Sequence, residues 1–148
     1  MSEFIFHLAF PIANIIDTKK FYVDGLGCTV GRETANSMIL NLYGHQLVAH
    51  ITTEIVPQQG IYPRHFGIVF PSLTDWQALL DRAIERQLKF YQLAKHRFPG
   101  AITEHRTFFL VDPFTNLLEF KYYAQSEAIF GASEFTQIGD SIGWMRAL

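Results

Sequence analysis

Two stretches of the chain, beginning near His7 and His65, contain the same order of predicted elements, and this repeat limits the fold more than any other feature. Each stretch opens with a strand in which large apolar residues alternate with histidine and small residues. A helix and then two or three strands follow. His7 and His65 lie 58 residues apart, and so do Asp17 and Asp75. The shared order favours a duplicated βαβββ unit.

The repeat predicts an α+β fold in which two βαβββ modules, about 4–52 and 64–123, lie side by side in one domain over 1–124. We expect a curved mixed sheet that forms a cleft, with the helices on its outer face. Asp17 is the expected N-cap of the first helix, and Ser72 or Thr74 that of the second. Lys89–Leu93 is expected to form a strand and 94–104 a loop. The pattern fades after Gln125, so 125–148 is predicted to be a C-terminal tail or short helix.

Composition excludes several classes of protein. With 148 residues, 49% hydrophobic and 18% charged, the chain has enough apolar surface for one folded domain. A net charge of −2 without a basic run argues against nucleic-acid binding. The one cysteine, Cys28, fits the reducing cytoplasm. The first apolar stretch is interrupted by His7 and Pro11, so we expect neither a signal peptide nor a membrane span.

Four polar residues, His7, His50, His65 and Glu119, share one property. Each lies within a predicted strand, on the face opposite the large apolar side chains. If the helices cover the apolar faces, these four project into the cleft. Two histidines and one carboxylate form the facial triad of Fe(II) enzymes, and the same donors also suit Zn²⁺, Ni²⁺ and Mn²⁺. A hydrogen-bonded structural role for each residue is the alternative.

Two further residues are candidates for the wall of a substrate pocket. His45 follows the turn glycine Gly44, and Phe109 is predicted to face the cleft because its neighbour Phe108 faces the other way. Aromatic residues make up 15% of the chain. That fraction suits a ring-bearing small-molecule ligand, and a bulky core explains it equally well.

Taken together, the motifs resemble those of the vicinal oxygen chelate superfamily, which includes glyoxalases, bleomycin-resistance proteins and extradiol dioxygenases. The resemblance spans about residues 4–123. It is carried by the segments Phe6-His7-Leu8-Ala9-Phe10, Leu26-Gly27-Cys28, His65-Phe66-Gly67, Phe109-Leu110-Val111-Asp112-Pro113 and Asn116-Leu117-Leu118-Glu119-Phe120. The stretches 43–50 and 97–100 resemble a small bacterial subgroup termed glyoxalase/dioxygenase-like.

The resemblance implies a metal-dependent enzyme whose ligands are His7, His65 and Glu119. This triad matches extradiol dioxygenases, in which Fe(II) binds a catecholic substrate through two vicinal oxygens, and Fe(II) is therefore the favoured metal. His50 lies nearest to the fourth-strand ligand position of glyoxalases, either as a fourth ligand or as a proton shuttle. A glyoxalase-like isomerase or lyase using Zn, Ni or Mn remains an alternative, and so does a bleomycin-resistance-like binding protein without turnover. Family members often form homodimers, some by exchanging modules.

The chain departs from the family at one turn. Thr115 stands where the usual Asp-Pro-x-Gly-Asn turn has glycine. A β-branched residue tolerates a positive φ poorly, so a turn of different shape is expected here.

Overall fold

The computed structural model describes residues 4–136 and 138, which form eight strands and two main helices. The elements are β1 (His7–Ile12), α1 (Ile15–Thr18) continuing into a π-helical segment (Lys19–Gly25), β2 (Thr29–Glu33), β3 (Ser37–Leu42), β4 (His45–Ile51), β5 (Phe66–Val69), α2 (Leu73–Glu85), β6 (Phe90–Arg97), β7 (His105–Val111), β8 (Leu117–Tyr123) and a 3₁₀ turn (Ser126–Ile129). The order βαβββ therefore occurs twice, and the α+β class is confirmed. The remainder of the predicted C-terminal tail lies outside the described residues.

The eight strands divide into two four-stranded sheets of identical topology. Their orders are β1-β4-β3-β2 and β5-β8-β7-β6. In each sheet the first and last strands of the module pair in parallel, β1 with β4 and β5 with β8, and the other pairs are antiparallel. Both sheets are mixed, as predicted. Among the described residues, no helix has the length and apolarity needed to cross a membrane.

The two helices begin with caps at equivalent positions. The Asn14 side chain accepts a hydrogen bond from the backbone N–H of Asp17 at 2.7 Å, and Ser72 accepts one from Asp75 at 3.1 Å. Asn14 and Ser72 are 58 residues apart, the spacing of the sequence repeat. The prediction of Asp17 as an N-cap is wrong. Its carboxylate instead accepts a hydrogen bond from the side-chain amide of Asn14 at 3.1 Å, which holds the capping side chain in place.

Two strand boundaries differ from the predicted ones. The first strand is predicted to begin with its module at Phe4, but β1 begins at His7, because its pairing with β4 starts there and Phe4 is 90% exposed. β6 extends to Arg97, through residues predicted to form a loop, because Lys95 and Arg97 pair with β7. Register shifts on either side of Gln92 interrupt the alternation of β6. That irregularity removes the period-two pattern from which a strand would be predicted.

One hydrophobic core joins the apolar faces of both sheets to the helices. Phe10 of β1 and Phe66 of β5 approach with ring centroids 5.6 Å apart, and Trp76 of α2 packs against Phe108 at 5.6 Å. A buried hydrogen bond also crosses between the modules, from the Tyr22 hydroxyl to Asp112 Oδ2 at 2.7 Å. Burial raises the pKa of both Tyr22 and Asp112, so the pair is held as a neutral phenol donating to a desolvated carboxyl.

In the turn between β7 and β8, a threonine adopts the left-handed backbone conformation that glycine usually provides. Thr115 adopts a φ of 69°. Asp112 Oδ1 accepts hydrogen bonds from the backbone N–H groups of Phe114 and Asn116, both at 2.8 Å, and its carboxylate fixes the turn around Thr115. The backbone at Thr115 thus keeps the positive φ that a glycine would adopt there, because the hydrogen bonds to Asp112 hold the turn in place.

Replacing Tyr22 with phenylalanine tests the hydrogen bond between the modules. Tyr22→Phe removes one donor from Asp112 in a buried setting and should lower the free energy of unfolding by about 1–3 kcal/mol. Denaturant unfolding measures this change, with Tyr43→Phe as the matched control because Tyr43 is 53% exposed. Equal midpoints for Tyr22→Phe and wild type would show that the bond contributes nothing.

Candidate functional site

His65 and Glu119 are brought together by the parallel pairing of β5 with β8. Gly67 is the register partner of Glu119, and His65 lies two residues before it. His65 Nε2 is 3.0 Å from Glu119 Oε1. On the other side of the ring, His65 Nδ1 donates to the carbonyl of Ile61 at 2.6 Å. A carbonyl only accepts, so Nδ1 donates in this bond and Nε2 faces the carboxylate, to which it donates when the ring is protonated.

The Glu119 carboxylate is largely buried and has three partners. Its side chain is 11% exposed. The Thr107 hydroxyl donates to Oε2 at 2.5 Å, and Lys121 Nζ lies 3.7 Å from Oε1. Burial by itself raises the pKa of Glu119, but the hydrogen bonds from His65 and Thr107 and the charge of Lys121 outweigh it and leave the pKa below its usual value. The hydrogen bond to Glu119 raises the pKa of His65.

A glycine permits the close approach of the two strands at this point. A Cβ atom built on Gly67 would lie 1.6 Å from the backbone oxygen of Glu119. No side chain fits in that space. The absence of a Cβ at Gly67 therefore allows the backbone that carries Glu119 to pass beside β5.

An apolar wall borders the histidine–glutamate pair. The Phe109 ring meets His65 edge-on with centroids 5.1 Å apart, and Phe109 is buried together with Ile61 and Leu117. Beyond Glu119 on the same face, His105 is buried between the rings of Phe98 and Tyr123, and burial lowers its pKa. Phe109 thus lies beside the pair, and its role in a substrate pocket stays a prediction.

His7 lies apart from this pair within the chain. Its Nδ1 is 2.8 Å from Gln46 Oε1, which leaves Nε2 as the available nitrogen, and the residue is exposed on β1. Over the residues that the structure describes, no three His, Cys, Asp or Glu side chains are grouped closely enough to hold a metal ion. A single chain therefore brings together two of the three predicted ligands, His65 and Glu119.

The strand register identifies the residue of the first module that corresponds to Glu119. Gly67 pairs with Glu119, and its equivalent under the 58-residue repeat, Ala9, pairs with Val48. The position equivalent to Glu119 is therefore apolar. His50 lies two residues further along β4, opposite Pro11, and is exposed. The role of His50, as a fourth ligand or as a proton shuttle, stays a prediction.

His45 occupies the edge of a shallow groove on the first module. Its Nδ1 accepts a hydrogen bond from the backbone N–H of Phe6 at 3.0 Å, so this nitrogen serves the local fold. The groove has a volume of about 290 Å³ and is lined also by Ile5, Val30 and Gln46. Whether a substrate contacts His45 stays a prediction.

A larger cavity lies beside His65, between the two modules. Its volume is about 460 Å³, and its lining includes Ala9 and Pro11 of β1 as well as Arg64 and Leu117. This volume falls within the range of small-molecule sites. His65 itself lines the cavity, so a small ligand bound there would lie against the histidine of the pair.

Two polar residues of the site, Thr107 and Lys121, were missed in the sequence. Lys121 is two residues from Glu119, and alternation along a strand places it on the same face. Lys121 could therefore have been identified from the sequence. Thr107 could not be found in this way, because its contact with Glu119 depends on the register between β7 and β8.

Comparison with known proteins identifies the family. Residues 4–120 match the model of the glyoxalase/bleomycin resistance protein/dioxygenase superfamily. The chain belongs to this superfamily. A crystal structure of a glyoxalase/bleomycin resistance protein/dioxygenase from Alicyclobacillus acidocaldarius is 40% identical, with a TM-score of 0.82 over 86% of this chain and 97% of that one.

More distant structures share the fold of this superfamily member. The fosfomycin resistance protein FosX from Listeria monocytogenes is 12% identical, with a TM-score of 0.68 over 86% of this chain and 99% of that one. A putative glyoxalase family protein from Bacillus anthracis is 13% identical, with a TM-score of 0.61 over 83% of this chain and 97% of that one. No curated protein matched the sequence.

Adding a methyl group at Gly67 tests the strand contact that forms the site. Gly67→Ala should push β5 from β8 and destabilise the protein by about 1–3 kcal/mol or more, because the nearest atom is backbone and cannot rotate away. Denaturant unfolding measures the loss. Gly60→Ala is the matched control, since the nearest atom to its added Cβ, 3.6 Å away, belongs to a side chain. Equal stability of the two variants would contradict the proposed contact.

Proposed function

We propose that the protein is a metal-dependent enzyme that acts on a small substrate with vicinal oxygens, with Fe(II) and ring-cleaving dioxygenation of the extradiol type as the favoured chemistry. The main support for this proposal is the His65–Glu119 pair, whose Nε2 and Oε1 atoms are 3.0 Å apart. His65 lies beside a cavity and against the ring of Phe109. An imidazole nitrogen and a carboxylate oxygen, each oriented by a further hydrogen bond, suit a divalent metal ion.

His7 of a second copy of the chain would supply the third ligand. This part of the proposal is supported by the separation of His7 from the pair within one chain. It is also supported by the exposure of His7, Ala9 and Pro11, which form one face of β1. The corresponding strand of the second module carries His65 at the equivalent place. A homodimer in which each cleft combines the first module of one copy with the second module of the other would unite the three donors.

The apolar side chain at Val48 favours three protein ligands over four. Val48 holds the place that corresponds to Glu119, and a valine cannot ligate a metal. A set of two histidines and one carboxylate leaves open positions for two substrate oxygens and O₂. This favours the dioxygenase over a glyoxalase-like isomerase. A glyoxalase-like site would need a fourth protein ligand at this position, and the side chain of Val48 has no donor atom.

The bound metal would supply Lewis acidity and, as Fe(II), a path for electrons between substrate and O₂. The side chains of the protein would orient the metal ligands, exclude water and accept a proton. Thr107 and Lys121 hold the Glu119 carboxylate in place, and the Ile61 carbonyl fixes the His65 ring. Phe109 limits the access of water to the pair. His50, on the same face of β4 as Gln46, is the proposed acceptor of a proton from a substrate hydroxyl oxygen.

Mixing two inactive variants tests both the ligand set and its division between copies. His7→Ala and His65→Ala should each lose bound metal. If they are unfolded and refolded together, mixed dimers should regain one intact site, giving about a quarter of the wild-type metal content for random pairing. Elemental analysis after anaerobic loading with Fe(II) measures the metal per chain, and His96→Ala is the matched control because His96 pairs with Glu104 away from the cleft.

Each outcome of this experiment separates two hypotheses. Recovery only after mixing supports the shared site, whereas metal retained by His7→Ala alone would remove His7 from the ligand set. A wild-type protein without metal would refute the enzyme and favour a binding protein without turnover, which the two-donor group of a single chain also fits. With metal present, oxygen uptake on catechols supports the dioxygenase; its absence with Zn, Ni or Mn retained favours the isomerase or lyase.

Thr107 should control the affinity of the metal site without contacting the metal. Thr107→Val keeps the shape of a buried side chain but removes the hydroxyl that donates to Glu119. We expect metal affinity to fall by about 10–100-fold, because the carboxylate loses the donor that orients it. Competition with a chromogenic chelator measures the affinity, and Thr107→Ser, which keeps the hydroxyl, should remain near wild type. Equal loss in both variants would contradict an orienting role.

A further inference from the structure

The face of the second module that carries Glu119 is rich in cations. The strand registers place Lys95 and Arg97 of β6, Thr107 of β7 and Lys121 of β8 on this face. Among the strand residues that the structure describes on it, Glu119 is the one acid. The face therefore carries more positive than negative charge before any metal ion is added.

Lys121 lies beside Glu119, a proposed metal ligand. Its Nζ lies 3.7 Å from Glu119 Oε1 and 3.4 Å from the Tyr123 hydroxyl, and its side chain is 24% exposed. The ammonium also lies 5.7 Å from the centre of the Tyr123 ring. These contacts hold the charge beside the cleft rather than in open solvent, where it would be screened.

A divalent cation bound to Glu119 would leave Lys121 without a counter-charge of its own. The carboxylate that now faces the ammonium would be shared with an ion of charge +2, and two positive centres would stand close together in a partly desolvated cleft. An anionic group on the substrate would relieve this repulsion.

We infer that the substrate carries an oxyanion group, a carboxylate or a phosphonate, in addition to its vicinal oxygens, and that Lys121 is the residue that selects it. This inference rests on the proposed function, since it places the vicinal oxygens at the metal. It makes Lys121 a specificity-determining residue: the ammonium receives the oxyanion while the two other oxygens face His65 and Glu119.

Binding of matched catechols to zinc-loaded protein tests the inference without turnover. The probes are catechol, 3,4-dihydroxybenzoate and 3,4-dihydroxyphenylphosphonate, titrated by calorimetry with zinc content measured on every sample. Wild type should bind at least one of the two acids about tenfold more tightly than catechol, as a charge-assisted contact predicts. Whichever of the two acids binds more tightly shows whether the site prefers a carboxylate or a phosphonate.

Substitution of Lys121 decides whether this residue is the source of the preference. Lys121→Met should abolish the preference for the acids over catechol, and Lys121→Arg should retain it. Lys121→Gln is the second neutral variant if the methionine impairs folding or zinc loading. Lys89→Met, at an exposed position before β6, is the matched control and should change nothing.

The negative outcomes are distinct from each other. Zinc binding and catechol binding without any preference for the acids would overturn this inference and leave the proposed function intact. A preference that survives in both Lys121→Met and Lys121→Gln would remove Lys121 as its cause and also overturn the inference. Wild-type protein that holds neither zinc nor Fe(II) after loading and binds none of the probes would overturn both.

Discussion

The contact between Gly67 and the backbone of Glu119 is the constraint on which the candidate site depends. Parallel pairing of β5 with β8 places these residues opposite each other, and only a residue without a Cβ allows the approach. The same pairing carries His65 to Glu119. Glycine in a strand lowers stability relative to residues with side chains. Its presence here is explained by the geometry of the pair and not by the stability of the sheet.

The surroundings of Glu119 show how a carboxylate stays charged when it is largely buried. Desolvation favours the neutral acid, and His65, Lys121 and Thr107 together reverse that preference. Buried charged groups are weak evidence for stability, because their desolvation offsets much of their attraction. A cluster in which each donor is itself held in place is better explained by function. The Ile61 carbonyl behind His65 and the Tyr123 hydroxyl beside Lys121 fit that explanation.

The two modules share a topology, but the side chains on their cleft-facing strands differ. The first offers His7, oriented by Gln46, and has Val48 where the second has Glu119. The histidine is thus repeated and the carboxylate is not. The burial of equivalent strands differs as well, since β7 has buried residues on both faces whereas its counterpart β3 has them on one. The first module therefore carries one of the three proposed ligands, and the second carries two.

Local patterns in the sequence determined the order of the strands and helices, the duplication and the faces on which His65, Glu119 and Phe109 lie. Alternation along a strand is a property of neighbouring residues, so it can be read without knowing the fold. Tertiary structure alone decided the contact of Thr107 with Glu119, the place of Val48 and the separation of His7 from the pair. It also decided the extent of β6, whose irregular pairing hides the pattern. All of these depend on the register between strands distant in sequence, and register is set by packing and pairing across the sheet.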